Sequence, residues 1–242
     1  MRVRLDQRLV ELGLAPTRSR AALLIRAGEV RLAGRVADKP GTLVESAALP
    51  ELKERPRFVS RGGDKLDAAL DEFGLDVRGL RCIDAGASTG GFTHCLLERG
   101  ARSVRAVDVG YGQLDARLRD DPRVEVRERT NVRHHTLEPG AAPFELLVAD
   151  LSFISLVKLL PALLALVAPG APLVLLVKPQ FELERAEVGK GGVVRDPEAR
   201  REAARRVREA AEARGARVRG EVESALAGPK GNRERFVWLE AP

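Results

Sequence analysis

The chain has 242 residues, 44% of them hydrophobic and 31% charged, enough apolar material for one sizeable core and a small second domain. Its apolar stretch over residues 156–177 is broken by Lys158, Pro161, Pro169, Gly170 and Pro172, which excludes one membrane-spanning helix there. The charged opening MRVRLDQRLVELG has no apolar signal block, and Cys82 and Cys95 are too few for a disulfide framework or a metal cluster, so a cytoplasmic protein without a metal is expected.

Charge is spread unevenly. Residues 1–60 hold 12 Lys+Arg against 7 Asp+Glu, whereas residues 61–242 hold 29 against 28. Nearly all of the +6 net charge therefore sits in the first quarter, as a polyanion-binding domain would have it. Arginine outnumbers lysine 34 to 7, which makes each lysine in a motif informative.

Leu5, Leu9, Val10 and Leu12 recur at helical spacing, with Gly13 as the stop. Pro16 to Arg20 opens a second helix over residues 21–26, closed by Ala27-Gly28. Residues 30–32 alternate like a short strand, followed by an Ala33-Gly34 turn. Two short helices and small strands suit an RNA-reading module, with Arg4, Arg18, Arg20 and Arg26 as candidate phosphate contacts. Residues 50–56, charged and bounded by prolines, read as the linker.

From residue 80 onward strands and helices alternate, which predicts a parallel sheet covered on both faces. Strands are expected at 80–85, 104–109, 124–126, 146–149 and 172–177, with a late edge strand at 236–239. Helices are expected at 92–99 and 156–167. Residues 198–214 form an Arg/Glu/Ala-rich helix whose charges read as a solvated, ion-paired face. Function in such sheets lies at the carboxyl ends of strands, where Asp84, Asp108, Asp150 and Lys178 all fall.

The turn after the first core strand reads Asp84-Ala85-Gly86-Ala87-Ser88-Thr89-Gly90-Gly91. Glycines let backbone approach a ligand closely, and the following helix presents free N–H groups. The acidic start suits a cationic or amino-acid end better than a pyrophosphate. Asp108, 24 residues after Asp84, is placed to take the two hydroxyls of a ribose. A nucleoside joined to an amino acid describes S-adenosylmethionine (S-adenosyl-L-methionine), and the turn resembles motif I of the Rossmann-like methyltransferases. Asp84, Gly86, Ser88, Thr89 and Gly90 would then line the methionine end, with Asp108 on the ribose and Asp150 close by.

The acceptor is narrowed by what is missing. Asp150-Leu151-Ser152-Phe153 lacks the prolines of the amino-group methylases of bases, and neither cysteine sits in a loop suited to a nucleophile. Hydroxyl methylation needs a group able to take or polarise an alcohol proton, which a lysine can do and an arginine cannot. Lys65 lies just before the first core helix, Asp150 ends the fourth strand, Lys178 ends the fifth, and Glu234 precedes the last. In order these make Lys-Asp-Lys-Glu, which resembles the tetrad of the RrmJ/FtsJ-type ribose 2′-O-methyltransferases.

Two resemblances then join. Arg4 to Arg35 resembles the ribosomal-protein-S-four-type RNA-binding fold. VSRGGDKL, DAGASTGGFT, VDVGYGQL, ADLSFISL, LVKPQFE, GKGGVVRD and GPKGNRERF resemble the TlyA family of haemolysin-named ribosomal RNA methyltransferases. The resemblance implies an α/β Rossmann-like S-adenosylmethionine-dependent core over residues 61–242, behind a small α+β RNA-binding domain and linker over residues 1–60. It implies 2′-O-methylation of a cytidine in ribosomal RNA, free or in a ribosomal subunit, with the large-subunit site expected for a chain of this length. A base methyltransferase and a non-catalytic RNA-binding protein remain alternatives. A membrane-lytic protein, which the family's older name suggests, would need an amphipathic or spanning segment that the sequence does not show.

Overall fold

The computed structural model describes residues 2–53, 56–228 and 230–242, with the side chain of Lys190 also outside the description. It divides into one compact unit over residues 1–55 and another over residues 56–242. That division falls five residues before the 60/61 boundary expected from sequence. Phe58, placed in the linker side by its neighbours in sequence, is 2% exposed and packs with Leu66, Phe92 and Cys95 of the second unit.

In the first unit, β1 (Arg2–Arg4) runs straight into α1 (Leu5–Glu11), and α2 (Arg18–Arg26) follows. Thr17 caps α2 by accepting a hydrogen bond from the Arg20 N–H, which satisfies one of the free donors of the first turn. The strands β2 (Val30–Leu32), β3 (Arg35–Val36), β4 (Leu43–Glu45) and β5 (Glu51–Leu52) are short. β1 pairs with β4, and a separate sheet has the order β3-β2-β5. Leu5, Leu9, Ala21, Ile25, Val30 and Val44 form the small core. The linker expected over residues 50–56 therefore contains a strand, because Glu51 and Leu52 pair with Arg31 and Val30. Glu54 and Arg55 of that stretch lie outside the described residues.

The second unit opens with α3 (Arg61–Phe73), then β6 (Arg81–Ala85), α4 (Gly91–Glu98), β7 (Ser103–Val107), α5 (Ala116–Arg119) and β8 (Val124–Arg127). It continues through β9 (Leu146–Ala149), α6 (Leu156–Leu164), β10 (Pro172–Val177), α7 (Pro179–Glu182), α8 (Pro197–Glu212), β11 (Arg217–Glu223) and β12 (Arg235–Glu240). The seven-stranded sheet has the order β11-β12-β10-β9-β6-β7-β8. The five strands from β10 to β8 are parallel, while β12 runs antiparallel to both of its neighbours, so that β11 points the same way as the five. The expected edge strand near the end is thus interior: β12 lies between β10 and β11. β11 went unrecognised because Arg217–Glu223 alternates charge with Val218, Gly220 and Val222, too little apolar surface for a strand signal.

Period-two alternation sorts the strand residues onto two faces. Ile83, Leu147, Leu173, Leu175 and Val237 pack with α6 and α8, whereas Cys82, Leu146, Val148, Val174 and Phe236 pack with α3 and α4. Strand order reverses between β6 and β9, whose carboxyl ends lie side by side: the Asp150 N–H donates to the Ala85 carbonyl at 3.0 Å. That is where a ligand crevice opens in such a sheet.

Candidate active site

The turn between β6 and α4 forms the floor of the crevice. Gly86 takes φ +90°, and a Cβ there would meet the Asp150 carbonyl oxygen at 2.5 Å, so only glycine allows β6 and β9 to close at this level. Ala87, Ser88 and Thr89 continue along the crevice, and Gly90 caps α4 at φ +95°.

Asp84 lies beneath this floor and lines none of the cavities around it. It is fully buried, and one carboxylate oxygen accepts from the Thr93 N–H at 2.9 Å and hydroxyl at 2.7 Å. The other oxygen has no hydrogen-bond partner. Burial pushes its pKa up to about 7, the Thr93 hydrogen bonds oppose the rise, and the nearby Asp150 and Asp108 charges add to it. The sequence expectation that Asp84 lines the methionine end is thereby changed: its geometry braces the turn onto α4 from below.

Asp108 stands at the end of β7, where one oxygen accepts from the Ser88 N–H at 2.8 Å and the other from the Gly110 N–H at 2.6 Å. It borders a cavity of about 480 Å³ that also takes in Ser88, Gln113, Thr130, Asn131 and Asp150. A carboxylate has about four acceptor positions, so two backbone donors leave room for ligand hydroxyls.

The four groups of the expected tetrad come together around a cavity of about 300 Å³, with Gly86, Ser88 and Thr89 on its wall. They form two pairs. Lys65 Nζ lies 2.5 Å from Glu234, with side chains 7% and 2% exposed. Lys178 Nζ lies 2.5 Å from Asp150 and donates to the Ser152 hydroxyl at 2.8 Å, both residues being reached more readily by solvent. Lys65 sits inside α3 and not before a helix, a correction to the sequence reading. Gly62 and Gly63 are poor helix formers, yet a Cβ on Gly63 would stand 2.2 Å from the Phe58 ring, so close packing selects glycine in the first turn.

The two cysteines are buried, and burial pushes both thiols up to about 12, which removes the thiolate a cysteine-dependent base methylation would need. Arg233 and Arg235, flanking Glu234, pair with Glu223 and Glu221 of β11. Sequence reasoning passed over Phe153, which is 91% exposed at φ +65°, and its neighbour Phe181, 5.4 Å away between ring centroids. A bulky residue held in the left-handed region and open to solvent is strained, and such strain makes Phe153 a candidate for the site. Only the backbone angle reveals it.

The candidate phosphate contacts divide. Arg4 forms a two-point ion pair with the buried Asp6, at 3.0 and 2.8 Å, and Arg18 reaches the same carboxylate at 3.4 Å. The Arg4 hydrogen bonds hold the Asp6 carboxyl below its usual range. Arg20 and Arg26 are exposed on α2 with no ion-pair partner among the described residues, as are Arg31 and Arg35, which the sequence reading did not select. No group of three or more metal-ligating side chains occurs among the described residues, nor any helix long and apolar enough to cross a membrane.

Residues 58–241 match the family model of the FtsJ-like methyltransferases, and residues 3–48 match that of the S4 domain. The Mycobacterium tuberculosis 16S/23S rRNA (cytidine-2′-O)-methyltransferase TlyA is 51% identical over 240 residues, 98% of this chain and 90% of that protein. The Campylobacter jejuni 23S rRNA (cytidine-2′-O)-methyltransferase TlyA is 36% identical over 184 residues, 75% of this chain and 70% of its own. A solved Streptococcus thermophilus structure described as a hemolysin superposes with a TM-score of 0.75 at 39% identity, covering 99% of this chain and 88% of that one.

Proposed function

Since the chain belongs to the TlyA family of FtsJ-like methyltransferases, we propose that it methylates the ribose 2′-oxygen of a cytidine in ribosomal RNA. The observation that carries this reading is the meeting of Lys65, Asp150, Lys178 and Glu234 on one cavity beside the glycine turn. Large-subunit RNA is the substrate we assign, 23S being common to the names of both relatives above. A ribosomal substrate puts the working enzyme in the cytoplasm.

The fold and family imply S-adenosylmethionine as methyl donor, and the crevice fits it. Gly86 leaves backbone bare at the closest approach, α4 directs its free N–H groups toward the turn, and Asp108 keeps acceptor capacity for hydroxyls. We assign Gly86, Ser88, Thr89 and Gly90 to the methionine end and Asp108 to the ribose, with Asp84 supporting the turn. When bound, the cofactor supplies an electrophilic sulfonium methyl.

Methyl transfer to an alcohol releases one proton, and the residues must take it. Lys178 and Asp150, the more open of the two pairs and 2.5 Å apart, are placed to receive it from the 2′-hydroxyl. Ser152, accepting from Nζ, fixes the direction of the lysine head. Lys65 and Glu234 are buried deeper and neutralise each other, so they form a rigid wall that orients the reacting groups without carrying a net charge. In the first unit, Arg20 and Arg26 are the phosphate contacts free to act, with Arg4 and Arg18 shared with Asp6.

Mass spectrometry of ribosomal RNA made with and without the enzyme tests the reading. One added methyl on a cytidine ribose supports it. A methyl confined to a base, or none, overturns it.

A further inference from the structure

Next to the Lys178–Asp150 pair lies a further cavity of about 330 Å³, bordered by Phe153, Phe181, Gln180 and Asn232. It shares Ser152, Lys178 and Glu234 with the reaction cavity, so a base held here has its ribose beside the proton-handling groups. Two aromatic rings, 5.4 Å apart and inclined by 48°, supply apolar walls.

The polar groups of this cavity are in contrasting states. Asn232 is engaged at both ends of its amide: its carbonyl oxygen accepts from the Val194 N–H and its nitrogen donates to the Gly192 carbonyl, each at 2.8 Å. These two bonds commit it to holding the 190–194 loop. Gln180, on α7 two residues beyond Lys178, has a buried Oε1 without any hydrogen-bond partner. Buried acceptors are almost always satisfied in native structures, and this one, on a side chain that borders the cavity, comes within reach of a ligand donor by rotation of the amide.

Resting on the ribose-methylation reading, we propose that Gln180 selects cytidine, its Oε1 accepting a hydrogen bond from the exocyclic amino group of the target base. Cytosine offers a donor at this position, which side-chain carboxylates and amides can accept, whereas uracil carries a carbonyl oxygen. Uracil would set acceptor against acceptor and leave the glutamine oxygen unpaired. A site built to hydrogen-bond its substrate rejects the analogue lacking the group far better than shape alone does. Glutamine can rotate its amide and glutamate has only acceptors, so Gln180→Glu separates acceptance from simple filling of space.

The test measures single-turnover methylation of ribosomal RNA carrying either the mapped target cytidine or a uridine in its place. Wild type should prefer cytidine by on the order of tenfold or more. Gln180→Glu should keep that preference, and Gln180→Leu should bring the two rates close together, chiefly by slowing cytidine. S-adenosylmethionine affinity, measured by calorimetry, should be the same in all three and confirms an intact fold. An unchanged cytidine-to-uridine ratio in Gln180→Leu, or a lost preference in an active Gln180→Glu, overturns the assignment. If wild type places no methyl on any ribose, the functional reading itself has failed, and the two failures are told apart.

Discussion

In residues 56–242 most arginines face a carboxylate, Arg61, Arg133, Arg185 and Arg195 being among those with no ion-pair partner among the described residues, whereas in residues 1–55 the unpaired ones lie on α2, β2 and β3. Arg99 reaches Asp67 at 2.6 Å and Asp71 at 2.7 Å, and the 5% exposed Arg105 reaches Glu125 at 2.7 Å and Glu138 at 3.0 Å. Along α8, Arg205 pairs with Glu202 and Glu209, and Arg206 pairs with Glu202 and Glu187. Arg20, Arg26, Arg31 and Arg35 have no such partner among the described residues. An arginine beside a carboxylate has its field cancelled nearby and adds little stability at the surface. An unpaired one keeps its field for a phosphate. The uncancelled charge on the short first unit supports the proposal that it contributes grip on RNA, while the second carries the proposed chemistry.

The sharpest way to break that division is at Lys178. Lys178→Ala and Lys178→Arg should each lower single-turnover methyl transfer by about 10²–10⁴-fold, the range for a positioned acid–base group. Lysine can accept the 2′-hydroxyl proton only in its neutral form, after yielding a proton to Asp150 or solvent, and arginine keeps the charge but has no such neutral form. Ribosomal RNA affinity should fall far less than the rate, because one target nucleotide is a small part of the proposed contact with RNA. A Lys178→Arg enzyme with near-normal single-turnover rates would leave positioning as the only role for the pair.

Next in size is the grip itself. Replacing Arg20 and Arg26 together by alanine should weaken RNA binding and reduce the log–log salt slope by about 1.5, since each phosphate no longer neutralised takes away roughly 0.7–0.9. Arg205→Ala, which removes a paired arginine from α8, should leave both quantities unchanged. Filter binding over a salt series reads all of these. Equal losses in the two variants would mean that pairing does not separate the units.

How far the sequence announces this arrangement depends on the scale of each signal. The parallel strands were legible because residues 146–149 and 172–177 are continuous apolar runs bounded by turn residues, the mark of a doubly covered sheet. The tetrad was legible because lysine is rare in this chain and each member falls next to a strand end or a glycine turn. β5 was hidden, since two residues give no periodicity and their pairing with β2 is a tertiary event. The ion pair of Arg4 and Arg18 with Asp6 was equally hidden, although Asp6 is only two residues from Arg4: its 4% exposure comes from folding, not from composition. Phe153 and Gln180 were missed for one reason. A left-handed backbone angle and an unsatisfied oxygen leave no trace in residue spacing.

A smaller effect is expected at the cofactor crevice. Asp108→Ala should weaken S-adenosylmethionine binding by about 1–3 kcal/mol, the range for hydrogen bonds involving a charged group. The loss has two sources, because Asp108 also fixes the Ser88 N–H of the turn at 2.8 Å. Calorimetry showing wild-type affinity in a folded variant would remove Asp108 from the ribose site. RNA affinity should not change, since Asp108 lies outside the proposed RNA contacts.

The smallest effect on turnover, and the one most specific to the second unit, belongs to Asp84. Its folded carboxyl has a pKa of about 7 against an ordinary value of 3.8, so between these values the folded protein holds a proton that the unfolded chain has released. Stability from this group is therefore greatest at low pH, falls as pH rises from about 4 to about 7, and levels off above. Glu182, also shifted upward by burial, slopes the same way and supplies a background common to both proteins. Asp84→Asn removes the titration but keeps an oxygen for the two Thr93 hydrogen bonds, and its amide replaces an oxygen that has no partner. In thermal unfolding across about pH 4–8 the variant should gain on wild type steadily as pH rises, with the difference constant above about pH 8. A difference independent of pH would show that Asp84 is ionised throughout that range, and that the turn rests on a buried charge instead of a neutral acid.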